Sequence, residues 1–321
     1  MLALDWTIFI VLIPFLLIVD LKMFNSGEDN VIGFRKSMIL SAWYIVAGLA
    51  FGLLIWADLG PEKAMQYYTT YVIEKSLSLD NLFVMSIIFS AFAIPRQYQH
   101  RVLVWGIIGV IVLRGIMIGA GAAIVHQYDW VLFIFAAILI YTGVKMMFMN
   151  DDDDLGNFEE KPLVLFLKKH FPLTTKFHGN KFMVRRSAVS DAEQAEVKGS
   201  SKFIFTPLFL ALIIIEISDV IFAVDSIPAA LAITTDPFIV YTSNIFAVLG
   251  LRALFFAVEN IIDRFELMKY ALSFVLTFIG AKVFFNGFTD FHISPAISLT
   301  ITIGALAAGI IFSWIKTKAQ D

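Results

Sequence analysis

EISDVIFAVDSIPA, residues 216–229, sets three carboxylates (Glu216, Asp219 and Asp225) inside an apolar stretch long enough to cross a bilayer. One Asp at the centre of a membrane helix costs about 2.5–3.5 kcal/mol on insertion scales, against about −0.3 to −0.6 for each strongly apolar residue. Three acids together cost roughly 8–10 kcal/mol, so the segment is close to break-even for insertion by itself. It has to face protein or a water-filled cavity, not lipid. A second string, EKSLSLDN (74–81), repeats the pattern with Glu74 and Asp80. Five intramembrane carboxylates need something to offset their desolvation, and a bound cation is the simplest candidate.

The surroundings fix the fold class. The chain has 321 residues, 59% hydrophobic and 16% charged, with mean hydropathy +0.81. A soluble domain does not carry such a composition. A hydrocarbon core of about 30 Å needs about 20 apolar residues per helix. Nine segments qualify, at 6–23, 38–57, 67–93, 102–125, 130–149, 203–233, 238–259, 267–286 and 293–315. The expectation is an all-α polytopic membrane protein of about nine transmembrane helices. Asp5 stands where a signal peptide carries basic residues, so 6–19 reads as a retained first helix.

Composition also excludes functions. Net charge is −3, which gives no electrostatic case for nucleic acid. There is no cysteine, which removes disulfides, thiolate metal sites and dithiol redox chemistry. No cofactor motif or catalytic constellation is present, so the chain does not read as an enzyme and needs no cofactor.

Orientation follows from the basic residues. Of 24 Lys and Arg, 18 fall in alternate loops: Lys22, Arg35, Lys36, Arg96, Arg101, nine within 161–202, Arg264, Lys269, Lys316 and Lys318. The opposite loops hold only Lys63, and the remaining five lie inside spans. This puts the N-terminus outside and the C-terminus in the cytoplasm. The one sizeable polar region, 150–202, opens with Asp151–Asp154 and turns basic around Lys168, Lys169, Arg185 and Arg186; it reads as a solvated cytoplasmic linker. FLKKHF (166–171) has the composition of a short piece lying on the inner leaflet.

The two acidic strings align. Glu74-x5-Asp80-Asn81 matches Asp219-x5-Asp225-Ser226. The next span of each half holds a buried arginine, Arg114 in VIVLRG and Arg252 in AVLGLRA, and the third spans share YTGVKM (141–146) and FIGAKV (278–283). Repeats of three helices, an odd number, are inverted in the membrane, a recurrent transporter architecture with sites at the repeat interface. The organisation is two N-terminal helices (1–65), a first repeat (66–149), the linker (150–202), a second repeat (203–287) and a final helix with its tail (288–321).

The donors on these strings are hard oxygens: the five carboxylates, Asn81, Ser226 and, less directly, Asn244. Such a set suits Mg, Ca or Mn, not Zn or Cu. Arg114 and Arg252 are expected each to pair with one carboxylate, leaving a negative surplus for a divalent ion or protons. Glu216 and Asp219 share a helix face. Asp225 needs a turn of the chain to join them, and Pro228 predicts a break near 224–228. Other charges have plainer readings: Lys145 and Lys282 snorkel, Lys75 pairs locally with Glu74, and Asp20, Asp58 and Glu259 are interfacial. Gly106, Gly109, Gly119 and Gly121 permit close helix approach.

The motifs EKSLSLDNLFV (74–84), RVLVWGIIGVIVLR (101–114), YTGVKM, EISDVIFAVDSIPA and TTDPFIVYTSNIFAVLGLRA (234–253) closely resemble those of the TerC family of integral membrane proteins. They cover most of 66–290, and the resemblance is strongest to the family's nine-span, alkali-inducible branch. It implies export of Mn²⁺ from the cytoplasm, with Glu74, Asp80, Glu216, Asp219 and Asp225 as the acidic positions that serve it. The alternatives are a membrane-bound redox modulator or a tellurite-resistance component without transport activity.

Overall fold

The computed structural model describes residues 2–24, 34–128, 130–148, 165–167, 170–197, 201–258, 268–289 and 293–318. The side chains of Asp80, Asp225 and Arg252 lie outside the described set, although their backbones are helical. The chain is helical almost throughout: α1 (Leu2–Phe24), α2 (Phe34–Leu59), α3 (Pro61–Ala91), α4 (Arg96–Gln127) and α5 (Val131–Phe148) come first. A small polar unit follows, with β1 (Met183–Arg185), a short α6 (Asp191–Glu196) and β2 (Phe203–Phe205). Then come α7 (Pro207–Leu231), α8 (Pro237–Leu249), α9 (Leu251–Val258), α10 (Met268–Phe288) and α11 (Pro295–Lys318).

Among the described residues, seven helices are long and apolar enough to cross a membrane: α2, α4, α5, α7, the α8–α9 pair, α10 and α11. The apolar stretch of α1 is shorter, Leu4–Val19. α3 is 31 residues long, but Glu74, Lys75 and Asp80 interrupt its apolar run. The perimeter is what a bilayer requires. Five of the six tryptophans, at 43, 56, 105, 130 and 314, are exposed, and amphipathic rings of this kind anchor helices at the membrane–water boundary.

α3 is the central helix, packed against α2, α7, α8 and α11. The contacts are reciprocal. α3 packs on α8 as α4 packs on α7, while α3 meets α7, α4 meets α8, and α5 meets α10. The α5–α10 contact is the closest in character. A Cβ on Gly143 would sit 2.8 Å from the Ser273 carbonyl oxygen, and one on Gly280 would sit 2.6 Å from that of Ala136. These glycines occupy matching places in YTGVKM and FIGAKV, and each meets the other's helix backbone. Between helices in lipid, where burial of apolar surface gives no net drive, such close approach supplies the attraction. α1 and α2 flank this core through an aromatic cluster that includes Phe9, Phe51, Tyr67, Phe238 and Phe246.

Three expectations are corrected. α7 runs unbroken through 224–228. Pro228 sits in the last turn, where one hydrogen bond is lost and little helix remains to be deflected; Ala232 N–H still reaches the Pro228 carbonyl at 2.9 Å. The interruption falls instead at Gly250, a single turn residue between α8 and α9. α7 also starts later than 203, because Phe203–Phe205 pairs antiparallel with Met183–Arg185 and Pro207 opens the helix at its first position. Finally, the described part of the linker is not merely solvated. Residues 171–197 and 201–206 belong to a folded unit whose Phe171, Leu173, Phe177 and Phe182 pack on the core formed by α3, α4 and α7. The acidic run 151–154 and Lys168–Lys169 lie outside the described residues.

A Gly280→Val substitution tests the α5–α10 contact. Because the obstacle is backbone, the overpacking should cost about 1–3 kcal/mol, measured as a lowered thermal unfolding midpoint in detergent.

Candidate functional site

Arg114 is the side chain on which the site is built. It lies midway along α4 and is 1% exposed. Its Nε donates to Asp219 Oδ2 at 3.0 Å and its Nη2 to Asp219 Oδ1 at 2.8 Å, a two-pronged clamp on one carboxylate. Its Nη1 donates to Glu74 Oε1 and, at 3.0 Å, to Asn244 Oδ1. One guanidinium thus ties α4 to α7, α3 and α8. A planar fork with five donors can do this, whereas a lysine, a point charge, cannot. Asn81, one residue beyond Asp80 on α3, donates from Nδ2 to Asp219 Oδ1 at 3.2 Å. The Ser226 hydroxyl is buried without a hydrogen-bond partner.

The sequence reading paired each arginine with one acid. The structure instead gives Arg114 both Glu74 and Asp219, because all three meet at one level of the bundle. With both carboxylates ionised, two of them against one guanidinium leave a formal charge of −1 there. Buried oxygens also remain unused: Asn81 Oδ1 has no hydrogen-bond partner. Asn244 enters as a ligand of Arg114. Arg252, Asp80 and Asp225, whose side chains fall outside the described residues, are placed by their backbones alone, Asp80 one residue before Asn81 and Asp225 one before Ser226.

Glu216 stands apart from this network. Both of its carboxylate oxygens are buried without a partner. A Cβ on Gly109 would lie 2.2–2.5 Å from the Glu216 carboxyl atoms, and one on Gly106 would lie 3.8 Å from its Oε1. Gly109 therefore makes room for a carboxylate and not only for a neighbouring helix. Glu216 and Asp219 do share a face, as the spacing required, and that face is turned to α4: one acid meets the glycines and the other meets Arg114. Among the described residues no three His, Asp or Glu side chains converge in a metal-binding cluster.

α3 also grips α8 at both ends. Lys63 Nζ meets Asp236 Oδ2 at 2.9 Å, while Asp236 Oδ1 caps α8 by accepting from Phe238 N at 3.1 Å. Twelve residues further on, Lys75 Nζ donates to the Ala247 carbonyl at 2.9 Å, beside the interruption at Gly250. Lys75 is thus not the partner of its neighbour Glu74. A helix end exposes carbonyls that lack amide donors, and an ammonium is suited to them by both hydrogen bonding and the helix dipole. The segment from Asp236 to Gly250, which carries Asn244, is held in register with α3. Lys282 is likewise buried and occupied, donating to Ser298 Oγ at 3.0 Å.

A polytopic helical membrane protein with one arginine clamping two buried carboxylates at its centre is the class defined by these observations. The chain matches the TerC family of integral membrane proteins over residues 59–321, and it belongs to that family. It is 43% identical over 319 residues to an uncharacterised membrane protein of Rickettsia felis, with 99% of each chain covered. It is 40% identical over 322 residues to Alx of Escherichia coli K12, covering 98% of this chain and 95% of the other. It is also 40% identical over 326 residues to Alx of Photorhabdus laumondii, covering 98% and 97%. Both Alx proteins carry the provisional title of membrane-bound redox modulator. No solved structure matches the chain.

Arg114→Gln should be strongly destabilising, because it strands two buried carboxylates. The expected loss is about 3–5 kcal/mol, the usual result of removing one partner from a buried pair. Arg114→Gln combined with Asp219→Asn should recover part of it. Folded yield and thermal unfolding in detergent measure both.

Proposed function

We propose that this protein exports Mn²⁺ from the cytoplasm, with the acid-rich centre of α3 and α7 as the ion's path. The observation that carries the reading is the imbalance of buried charge. Arg114 neutralises only one of Glu74 and Asp219, Glu216 adds an unpaired carboxylate, and Asp80 and Asp225 follow on the same two helices. The donors are carboxylate, amide and hydroxyl oxygens, the set that hard divalent ions prefer. Glu74, Asp80, Asn81, Glu216, Asp219, Asp225 and Ser226 are the assigned residues, with Arg114 and Arg252 as charge partners.

The reciprocal contacts of α3–α4–α5 and α7–α8/α9–α10 support two inverted three-helix repeats. In that reading α1, α2 and α11 are additions around a six-helix core. The Lys and Arg distribution supports a bacterial inner-membrane protein with its N-terminus outside. Moving one charge outward against an inward-negative potential costs about 2.3 kcal/mol per 100 mV, and a divalent ion doubles this. Coupling to inward protons supplies the drive, and the buried carboxylates are the groups able to carry them. The redox title borne by the Alx relatives finds no thiol here, since the chain has no cysteine.

Intracellular metal content under Mn²⁺ load is the test. Cells producing the protein should hold several-fold less Mn than cells without it, and Asp80→Ala and Asp225→Ala should abolish the difference. Unchanged Mn content with the wild type, or full export by both variants, would overturn the proposal.

A further inference from the structure

The basic half of the 150–202 region is not used by the transport reading, and its structure gives it a separate role. We propose that the outer face of the β1–β2 ribbon binds the anionic lipid headgroups of the leaflet beside it.

The ribbon's two faces differ. Val184 and Ile204 point inward, buried with Val189 and Val197. Met183 and Arg185 on β1 and Phe203 on β2 are exposed, and Arg185 and Phe203 are direct cross-strand partners. Met183 is 53% exposed and Phe203 40%. Lys181, at the same alternation as Met183, and Lys202, beside Phe203, are exposed as well. The result is an apolar pair with Lys181 and Arg185 at the same alternation and Lys202 exposed at the position before Phe203.

The position of the ribbon argues for lipid as the occupant. Thr206 alone separates β2 from the start of α7. Phe205 stacks on Phe209 in the first turn of α7 with ring centroids 4.3 Å apart. Phe182 packs edge-on against Trp105 of α4 at 6.4 Å, and Trp105 is 50% exposed. The ribbon is therefore pinned where membrane helices end. Apolar side chains flanked by Lys and Arg are the composition that settles at the headgroup boundary. Charge agrees: residues 171–206 hold six Lys and Arg against three Asp and Glu, and all three acids lie in α6. Each basic side chain near an anionic surface strengthens binding by about fivefold, equivalent to about 1 kcal/mol.

The absence of native cysteine makes the test clean. Met183→Cys and Phe203→Cys each give a single site for a nitroxide label on the full-length protein. The labelled protein is placed in nanodiscs of phosphatidylcholine alone or of phosphatidylcholine with phosphatidylglycerol, and collision with a water-soluble nickel chelate is measured by electron paramagnetic resonance. Nickel access at both labels should fall several-fold when phosphatidylglycerol is present. It should be restored by high salt, which screens surface charge, and by the combined Lys181→Gln, Arg185→Gln and Lys202→Gln substitutions. Equal, high access in both lipids would overturn the proposal. So would equal shielding in both lipids that persists in the triple variant, which would mean that protein or apolar contact covers the face. Neither result depends on Mn²⁺ export.

Discussion

The contact between Arg114 and the carboxylates of Glu74 and Asp219 is the constraint on which the rest of the bundle depends. A guanidinium at 1% exposure in the middle of a membrane helix is tolerable only if its donors are occupied. Asp219 takes two of them, and Glu74 and Asn244 take more. These acceptors come from three different helices, so satisfying one side chain fixes where four helices stand relative to one another. The converse holds too: the burial of Glu74 and Asp219 is offset by the cation that α4 brings.

Around this polar centre, the remaining packing is of the kind that lipid permits. Helices in a bilayer gain little from burying apolar surface, and close van der Waals contact and hydrogen bonding do the work. Gly143 and Gly280 let α5 and α10 touch backbone to backbone. Tyr67 and Tyr68 lay their hydroxyls on the Gly48 and Leu49 carbonyls of α2 at 2.9 Å. Gly109 has a different task. It accommodates the Glu216 carboxylate, which has no partner, and so leaves a second, separate acidic position one turn from the Arg114 clamp. The two lysines of α3 that hold Asp236 and Ala247 keep α8 in place despite the interruption at Gly250.

Parts of this were legible beforehand because the physics is local. A charge inside an apolar run is expensive wherever the chain goes, so Glu74, Asp219, Glu216 and Arg114 announced themselves. Helix spacing alone put Glu216 and Asp219 on one face. The helix interruption was misread because Pro228 looks like a breaker in any sequence window. Its effect depends on how much helix follows, and only three residues of α7 do. Gly250 gave no comparable signal, since a glycine in an apolar run more often marks close packing. The partner of Lys75 was misjudged for a similar reason: its neighbour Glu74 was visible, while the Ala247 carbonyl is 172 positions away. The ribbon was missed because three-residue strands are too short for alternation to stand out beside a basic loop.

By itself, the sequence determined that this is a polytopic helical membrane protein of the TerC family with carboxylates and an arginine buried in its spans, because insertion energetics and motif spacing are properties of the chain. Tertiary structure alone decided which groups meet. It gave one arginine two acids, drew Asn244 to that arginine, set Glu216 against Gly109, and moved the helix interruption from Pro228 to Gly250. Each of these is a contact between segments far apart in the chain, set by which helices pack together, and no local pattern encodes it.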